Sequence, residues 1–86
     1  MTRPKLARHC RLSFDRTRQR PILLLPETVV VLNTTGAAIL ERCDGRHTVD
    51  EIVTDLGEAY REVPGAEVQR FLNGMLERRF VEMVDG

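Results

Sequence analysis

Two histidines and two cysteines are the side chains best suited to metal or nucleophilic chemistry in this chain of 86 residues. They are His9, Cys10, Cys43 and His47. Zinc sites of the two-cysteine, two-histidine type contain cysteines two to four residues apart, and this spacing does not occur here. A nucleophilic Cys43 needs His47 within hydrogen-bonding reach, which a helix end followed by a glycine turn does not favour. The spacing therefore predicts no metal site and no cysteine nucleophile.

Neighbouring carboxylates and the glycines also lack the arrangement that catalysis needs. The pairs Asp50/Glu51 and Glu58/Glu62 fit helix capping and a solvated helix surface better than a general acid and base. The 6 glycines are scattered, and neither a G-x-G-x-x-G motif nor a P-loop occurs. The sequence therefore favours a binding function, without catalysis and without a cofactor.

The charges balance overall but are unevenly distributed. The chain contains 13 Lys+Arg and 13 Asp+Glu, so bulk attraction to nucleic acid or to an anionic membrane is not expected. Residues 1–20 nevertheless carry seven basic side chains and one acidic side chain, whereas the rest of the chain is acidic. This basic segment, which includes Arg11, Arg16 and Arg18, either pairs with acids of the same chain or docks an acidic partner.

Length and hydropathy limit the organisation and the compartment. We expect one small domain, with residues 1–10 as a flexible N-terminal arm and residues 11–86 as the folded part. No apolar run approaches the roughly 20 residues that cross a membrane, and no apolar stretch of a secretory signal follows the N-terminal basic residues. Two cysteines are too few for a secreted disulfide scaffold, so the cytoplasm is the expected compartment.

Three strands are predicted in the first half of the chain. Leu12 and Phe14 alternate with polar residues, the period of a half-buried strand. Two apolar runs follow at 22–25 and 28–32, separated by Pro26, and the second is rich in β-branched residues. Connections this short favour an antiparallel meander with the third strand at one edge.

Three helices are predicted in the second half. The first begins at an N-cap among residues 33–35 and runs to about Cys43, before the stop signal of Gly45. Thr48 and Glu51 form a capping box for the second helix. The apolar faces of the second and third helices comprise Val49, Ile52, Val53, Leu56 and Tyr60, and Val68, Phe71, Leu72, Met75 and Leu76. The predicted fold is an α+β, winged-helix-like domain, in which a three-stranded antiparallel β-meander is followed by three helices.

A winged-helix-like order makes DNA binding the alternative function. The polar positions of the third helix, which would enter the groove, are Glu67, Gln69, Arg70, Asn73, Glu77, Arg78 and Arg79. Because phosphate contacts supply most of the affinity for DNA, this mixed set on a nearly neutral chain predicts weak binding. Nucleic acid is therefore not the expected partner.

The third predicted strand, residues 28–32, lacks the usual protection of a sheet edge. It contains no Lys, no Pro and no inward charge, and its three valines leave apolar side chains on both faces. Three explanations stay open at this point: another part of the chain covers the edge, a second copy pairs there, or a peptide adds as a fourth strand.

An ordered string of residues along nearly the whole chain resembles the PqqD family. The string comprises Pro26-Glu27, Leu32-Asn33, Ile39-Leu40, Cys43-Asp44-Gly45, Thr48-Val49, Glu51-Ile52-Val53, Leu56, Tyr60, Val68 and Phe71-Leu72. The resemblance implies a non-catalytic peptide chaperone of pyrroloquinoline quinone (PQQ) biosynthesis. Such a protein binds the ribosomal precursor peptide and presents it to a radical-SAM enzyme, which joins a Glu and a Tyr of that peptide. The chain departs from the pattern at Gly36, where Ala is common, and at Arg79, where Gly is usual.

The resemblance also implies that the peptide adds beside the third strand and lies against the third helix. The residues expected at the peptide are Thr28, Val29, Val30, Val31, Leu32, Val68, Leu72, Met75 and Arg79. Pairing with five residues alone does not reach micromolar affinity, so Val30, Leu72 and Met75 are expected to line pockets for two or three aliphatic side chains. The basic segment is expected to steer an acidic peptide or to dock on the enzyme. The same strand edge also allows a homodimer.

Overall fold

The computed structural model of the chain describes residues 1–59 and 65–85. In this part of the chain the elements are β1 (Thr2–Leu6), β2 (Arg11–Asp15), β3 (Arg20–Leu24), β4 (Val29–Val31), α1 (Thr34–Glu41), α2 (Val49–Ala59), α3 (Gly65–Glu77) and β5 (Val81–Asp85). The predicted α+β class, the antiparallel meander (β2–β4) and the three helices that follow it are confirmed. Tyr60, predicted on the apolar face of the second helix, lies outside the described residues.

The meander forms a sheet of order β2-β3-β4 that packs one face on the helices. Leu23 in the central strand lies opposite Leu12 on β2 and opposite Val30 on β4. Leu23 is fully buried, and the other two side chains pack against the same core. Because cross-strand partners point to the same face of a sheet, this row identifies the face that covers the core.

Local capping signals position α1 and α2. Asn33 is the N-cap of α1, and its side-chain oxygen accepts a hydrogen bond from the backbone N–H of Gly36 at 2.6 Å. At α2, the backbone N–H of Thr48 donates to Glu51 Oε1 (2.8 Å), and the backbone N–H of Glu51 donates to Thr48 Oγ1 (3.2 Å). The predicted capping box is therefore confirmed. These bonds satisfy N–H groups that the first turn of a helix leaves unpaired.

The helices and the sheet enclose one cluster of buried side chains. The largest fully buried members are Leu23, Ile39, Ile52, Leu56, Leu72, Val68 and Val81, together with Pro4 of β1. The apolar spacing predicted for α2 and α3 supplies Ile52, Leu56, Val68 and Leu72 to this cluster, so each helix turns the expected face inward. None of the helices described here is long and apolar enough to cross a membrane.

The N-terminal segment, for which the sequence predicts a flexible arm over residues 1–10, contains the strand β1. This strand pairs with β5 in antiparallel register, from Thr2 opposite Asp85 to Leu6 opposite Val81. On its other side, the backbone N–H of Leu6 donates to the carbonyl oxygen of Cys43 at 3.0 Å. The partner strand, β5, lies at the other end of the sequence, so no local pattern around residues 1–10 predicts the pairing.

Candidate functional site

β4 is an edge strand whose hydrogen bonds to β3 follow the antiparallel alternation. The backbone N–H of Leu25 donates to the carbonyl oxygen of Thr28, and the backbone N–H of Leu32 donates to that of Pro21, each at 2.9 Å. In an antiparallel pair, bonded and non-bonded residues alternate along each strand. Every second residue from Thr28 to Leu32 therefore belongs to the ladder with β3.

Val29 and Val31, which lie between these positions, turn their backbone groups to the open edge. Val30, opposite Leu23, is the central residue bonded to β3. Val29 and Val31 consequently offer two N–H donors and two C=O acceptors in a row, the pattern with which an added strand pairs. In the part of the chain that the structure describes, no strand pairs with β4 on this side.

The side chains of β4 are apolar on both faces of the sheet, as predicted. Val30 is half-buried and packs against the core. Val29 and Val31 are 41% and 45% exposed on the opposite face, where they lie across from Leu24 and Ile22 of β3. These four aliphatic side chains form a strip beside the open edge.

The residues of α3 expected at the peptide lie in the core. Val68, Leu72 and Met75 are 0%, 1% and 7% exposed. An apolar face at helical spacing has the same appearance whether it borders a groove or fills a core, so the sequence did not separate the two cases. Arg79 is exposed and follows the last residue of α3 in a turn.

A pocket between α1 and α3 contains residues that the sequence reasoning did not assign to the site. It has a volume of about 220 Å³ and is lined by Asn33, Thr35, Gly36, Ile39, Glu67, Arg70 and Phe71. Its first residue in the chain, Asn33, comes two residues after the end of β4. The sequence contained one signal for it, a glycine at position 36 in the first turn of a helix, where a glycine is not otherwise favoured.

None of the three arginines expected to dock a partner is on β4. Arg11 is on β2, and Arg16 and Arg18 are in the β2–β3 turn, where Arg18 Nη1 lies 3.5 Å from Asp15 Oδ2. Adjacent strands are about 4.8 Å apart, so Arg11 on β2 is separated from a strand added to β4 by about 14 Å across the sheet. Charges exposed to solvent are largely screened at that distance, since the Debye length is about 8 Å at physiological ionic strength.

Cys43 and the nearest histidine, His47, form hydrogen bonds that do not activate a thiol. Cys43 Sγ donates to the carbonyl oxygen of Ile39 at 3.4 Å, and burial, followed by the charge of Asp44, raises its pKa to about 12. Burial also raises the pKa of Cys10. His47 Nδ1 instead lies 3.0 Å from Asp44 Oδ1, and this hydrogen bond is the main cause that lowers the pKa of the Asp44 carboxyl.

Both thiols are therefore protonated at neutral pH, which fits small apolar side chains of the core rather than nucleophiles. Within residues 1–59 and 65–85, no three His, Cys, Asp or Glu side chains cluster as metal ligands do. Two acids of α2 have structural contacts: Glu51 caps the helix, and Asp55 accepts a hydrogen bond from Arg42 Nε.

These observations define the class of protein as a small α+β domain in which a meander with an open strand edge precedes three helices. Residues 21–81 match the family model described as "Coenzyme PQQ synthesis protein D (PqqD)". The chain belongs to the PqqD family.

Similar proteins include the PqqA binding protein of Rhodopseudomonas palustris (strain BisB5), which is 36% identical over 83 residues. That alignment covers 93% of this chain and 81% of the relative. The bifunctional coenzyme PQQ synthesis protein C/D of Methylorubrum extorquens is 37% identical over 82 residues, which are 92% of this chain but 22% of the longer relative.

Solved structures with this fold include the PqqD truncation of Methylobacterium extorquens PqqCD, a stand-alone recognition element for ribosomally synthesised and post-translationally modified peptides. It is 36% identical, with a TM-score of 0.76 over 92% of this chain and 87% of that chain. The heterocyclase TruD matches with a TM-score of 0.74 at 20% identity, over 98% of this chain and 12% of that chain, and this likeness concerns the fold alone.

Proposed function

We propose that this protein binds the ribosomal precursor peptide of PQQ biosynthesis, PqqA, by adding it as a fourth strand beside β4. The observation that carries the proposal is the row of outward backbone groups on Val29 and Val31. The relatives named PqqA binding proteins and the peptide-recognition element of similar structure support the same ligand. Strand addition uses main-chain bonds for affinity and side-chain contacts for selectivity.

Side-chain burial supplies most of the affinity in this proposal. The four outward groups contribute about 0.5–1.5 kcal/mol each, while ordering a flexible peptide costs about 2–5 kcal/mol. These terms nearly cancel, and a micromolar complex needs about 8 kcal/mol. Aliphatic side chains of the peptide are therefore expected to cover Val29 and Val31. Because Leu72 and Met75 lie in the core, they support the fold under this binding surface rather than contact the peptide directly.

The protein acts in this proposal without catalysis, by presenting the bound peptide to the radical-SAM enzyme that cross-links its Glu and Tyr. Its protonated thiols and its structurally engaged carboxylates support a binding role. The basic residues Arg11, Arg16 and Arg18 dock the enzyme rather than the peptide, because none of them is on β4 and Arg11 lies about 14 Å from the added strand. The fused arrangement of the bifunctional C/D relative supports close association with enzymes of the pathway.

We place this activity in the cytoplasm, where the two free cysteines, Cys10 and Cys43, stay reduced. A second copy of the chain competes with the peptide for the same backbone groups. Peptide binding and self-pairing at β4 therefore exclude each other.

The proposal is tested by a ¹⁵N-HSQC titration of the protein with synthetic PqqA peptide, with the oligomeric state followed by sedimentation. We expect the largest shifts at Thr28–Leu32, and small shifts at the exposed residues Thr54 and Glu58 of α2, which serve as an internal control. An unchanged spectrum at high peptide excess contradicts the proposal. If the protein is then a dimer, self-pairing occupies the edge, and if it is a monomer, DNA binding becomes the function to test.

A further inference from the structure

β2 lies at the opposite edge of the meander from β4 and also turns backbone groups outward. On the central strand, Leu23 and Pro21 bond to β4, where the carbonyl oxygen of Pro21 accepts from the backbone N–H of Leu32. Their partners on β2, Leu12 and Phe14, are consequently not bonded to β3. Leu12 and Phe14 therefore present two N–H donors and two C=O acceptors to the outer edge of β2.

These outward groups have no backbone partner in the part of the chain that the structure describes. No strand of residues 1–59 and 65–85 pairs with β2 on this side. Among the same residues, no backbone hydrogen bond outside the regular elements involves Leu12 or Phe14. β2 also contains no Lys, no Pro and no charge on its helical side, which are the usual protections of a sheet edge. The β2 edge is therefore open to a further strand.

A groove between β2 and α1 runs beside this edge. It has a volume of about 360 Å³ and is lined by Leu12, Ser13, Phe14, Pro21, Ala37 and Glu41. Phe14 is 52% exposed, although the alternation along β2 places it on the face of the sheet that covers the core. The lining residues from α1 are Ala37 and Glu41, one turn apart, so this helix leaves room beside the ring. The groove suits apolar side chains of an added strand.

The residues around the β2 edge carry an excess of positive charge. Residues 11–20 contain four arginines and one acid, Asp15. Asp15 Oδ2 already lies 3.5 Å from Arg18 Nη1, and α1 adds the carboxylate of Glu41 at the groove. The arginines still outnumber these acids, and opposite charge on a partner favours association. The charge at this edge therefore complements an acidic strand.

We propose that β2 is a second strand-addition edge, which takes an extended segment of the radical-SAM enzyme in which apolar and acidic residues alternate. This inference rests on the proposed function, in which the arginines near β2 dock this enzyme. Segment residues opposite Leu12 and Phe14 point to the groove, because cross-strand partners share a face of the sheet. A segment residue opposite Arg11 lies on the outer face, where a carboxylate is favoured. The segment and the peptide then lie on opposite edges of one sheet, about 19 Å apart.

Hydrogen exchange of the ¹⁵N-labelled wild type, alone and with the unlabelled enzyme, tests the backbone pairing. The amides of Leu12 and Phe14 are expected to exchange fast in the free protein and slowly in the complex. The amide of Ser13, which bonds to β3, is the internal control and is expected to exchange slowly in both. The synthetic PqqA peptide alone is expected to leave Leu12 and Phe14 unprotected.

Substitutions at Phe14 test the groove, since a half-exposed side chain can be replaced without opening the core. Phe14→Thr removes the ring and keeps the N–H group, and we expect the affinity for the enzyme to fall about tenfold. Phe14→Pro also removes the outward N–H group and is expected to lower the affinity about 2–12-fold further. Met83→Thr removes an exposed apolar side chain from β5 and is the matched control. Unchanged affinity for the peptide checks that each variant is folded.

The outcomes separate failure of the β2 edge from failure of the proposed function. If the enzyme binds but leaves Leu12 and Phe14 unprotected, or if Phe14→Thr binds it as Met83→Thr does, the β2 proposal is overturned and the proposed function stands. Protection of these amides by the peptide alone, or in a dimer without the enzyme, also overturns the β2 proposal. If the enzyme does not bind, presentation to the enzyme is overturned as well, while peptide binding at β4 is decided by the titration above.

Discussion

The backbone N–H of Phe80 donates to the carbonyl oxygen of Met75 at 2.9 Å, across the C-terminal end of α3. The backbone N–H of Arg79 donates to the carbonyl oxygen of Leu76 at 3.0 Å. These two bonds constitute a Schellman motif, which requires a left-handed backbone at the residue after the C-cap. That residue is Arg79, with φ of 64°. An arginine thus occupies a position where glycine is the favoured residue.

Arg79→Gly is expected to raise the free energy of unfolding by about 0.5–1 kcal/mol, because glycine adopts this conformation without a steric cost. Arg79→Ala keeps the strain and removes the same guanidinium group, so it serves as the matched control. Urea denaturation of both variants checks the stability difference. If Arg79 also contacts the peptide, both variants lose peptide affinity equally. If both variants have the same free energy of unfolding, the left-handed backbone of Arg79 is not strained.

Val29→Pro is expected to weaken peptide binding without unfolding the protein. Proline removes an N–H that points to the open edge, and it is tolerated at the first residue of an edge strand. The loss of one backbone bond of about 0.5–1.5 kcal/mol corresponds to an affinity about 2–12-fold lower in calorimetry. Val29→Thr keeps the N–H group and is the control. Equal affinities of the proline and threonine variants argue against pairing at this position.

Arg16→Gln combined with Arg18→Gln is expected to weaken binding to the radical-SAM enzyme and to leave peptide affinity unchanged. Both arginines are in the β2–β3 turn rather than on β4, and Arg18 is already close to Asp15. Calorimetry at two salt concentrations measures the affinity of each variant for the peptide and for the enzyme. The complex with the enzyme is expected to weaken as salt is added. Arg46→Gln, an exposed arginine outside the turn, is the control. Loss of peptide affinity instead would place these arginines at the peptide.

The free energy of unfolding is expected to fall at alkaline pH because of Cys43. Its thiol has a pKa of about 12 in the folded protein, compared with about 8.5 in an unfolded chain. Its contribution is fully present below about pH 8.5 and is lost as the pH rises toward 12, with a slope of up to about 1.4 kcal/mol per pH unit. Urea denaturation from pH 7 to pH 10 in a reducing buffer is expected to show a shallower slope for Cys43→Ala. If the free energy of unfolding has the same pH slope in the wild type and in Cys43→Ala, burial of a neutral Cys43 thiol is contradicted.

The elements that could be predicted from the sequence are those that local residues determine. Asn33 indicates where α1 begins, and the pair Thr48 and Glu51 indicates where α2 begins, because their capping hydrogen bonds join residues only three apart. The meander could be predicted because its connections are short. β1 and β5 could not, since each is stabilised by a strand at the other end of the chain.

The candidate site was predictable to the level of the strand but not of the side chains. The unprotected valines of β4 indicated an open edge, whereas the depth of Leu72 and Met75 depends on how closely α3 packs on the core. Val30 shows the same limit, because its inward position follows from its pairing with Leu23. For that reason Val30→Asp would disturb the core as well as the binding edge.

The pairing of β1 with β5 has a consequence for synthesis on the ribosome. β1 leaves the ribosome about 80 residues before its partner β5, a delay of roughly 4–16 s at about 5–20 residues per second. During this interval the meander and the helices α1 and α2 can form from local contacts, while β1 remains an unpaired strand that other chains can contact. The charged side chains of Arg3 and Lys5 within β1 are suited to limit such association until the last described strand emerges.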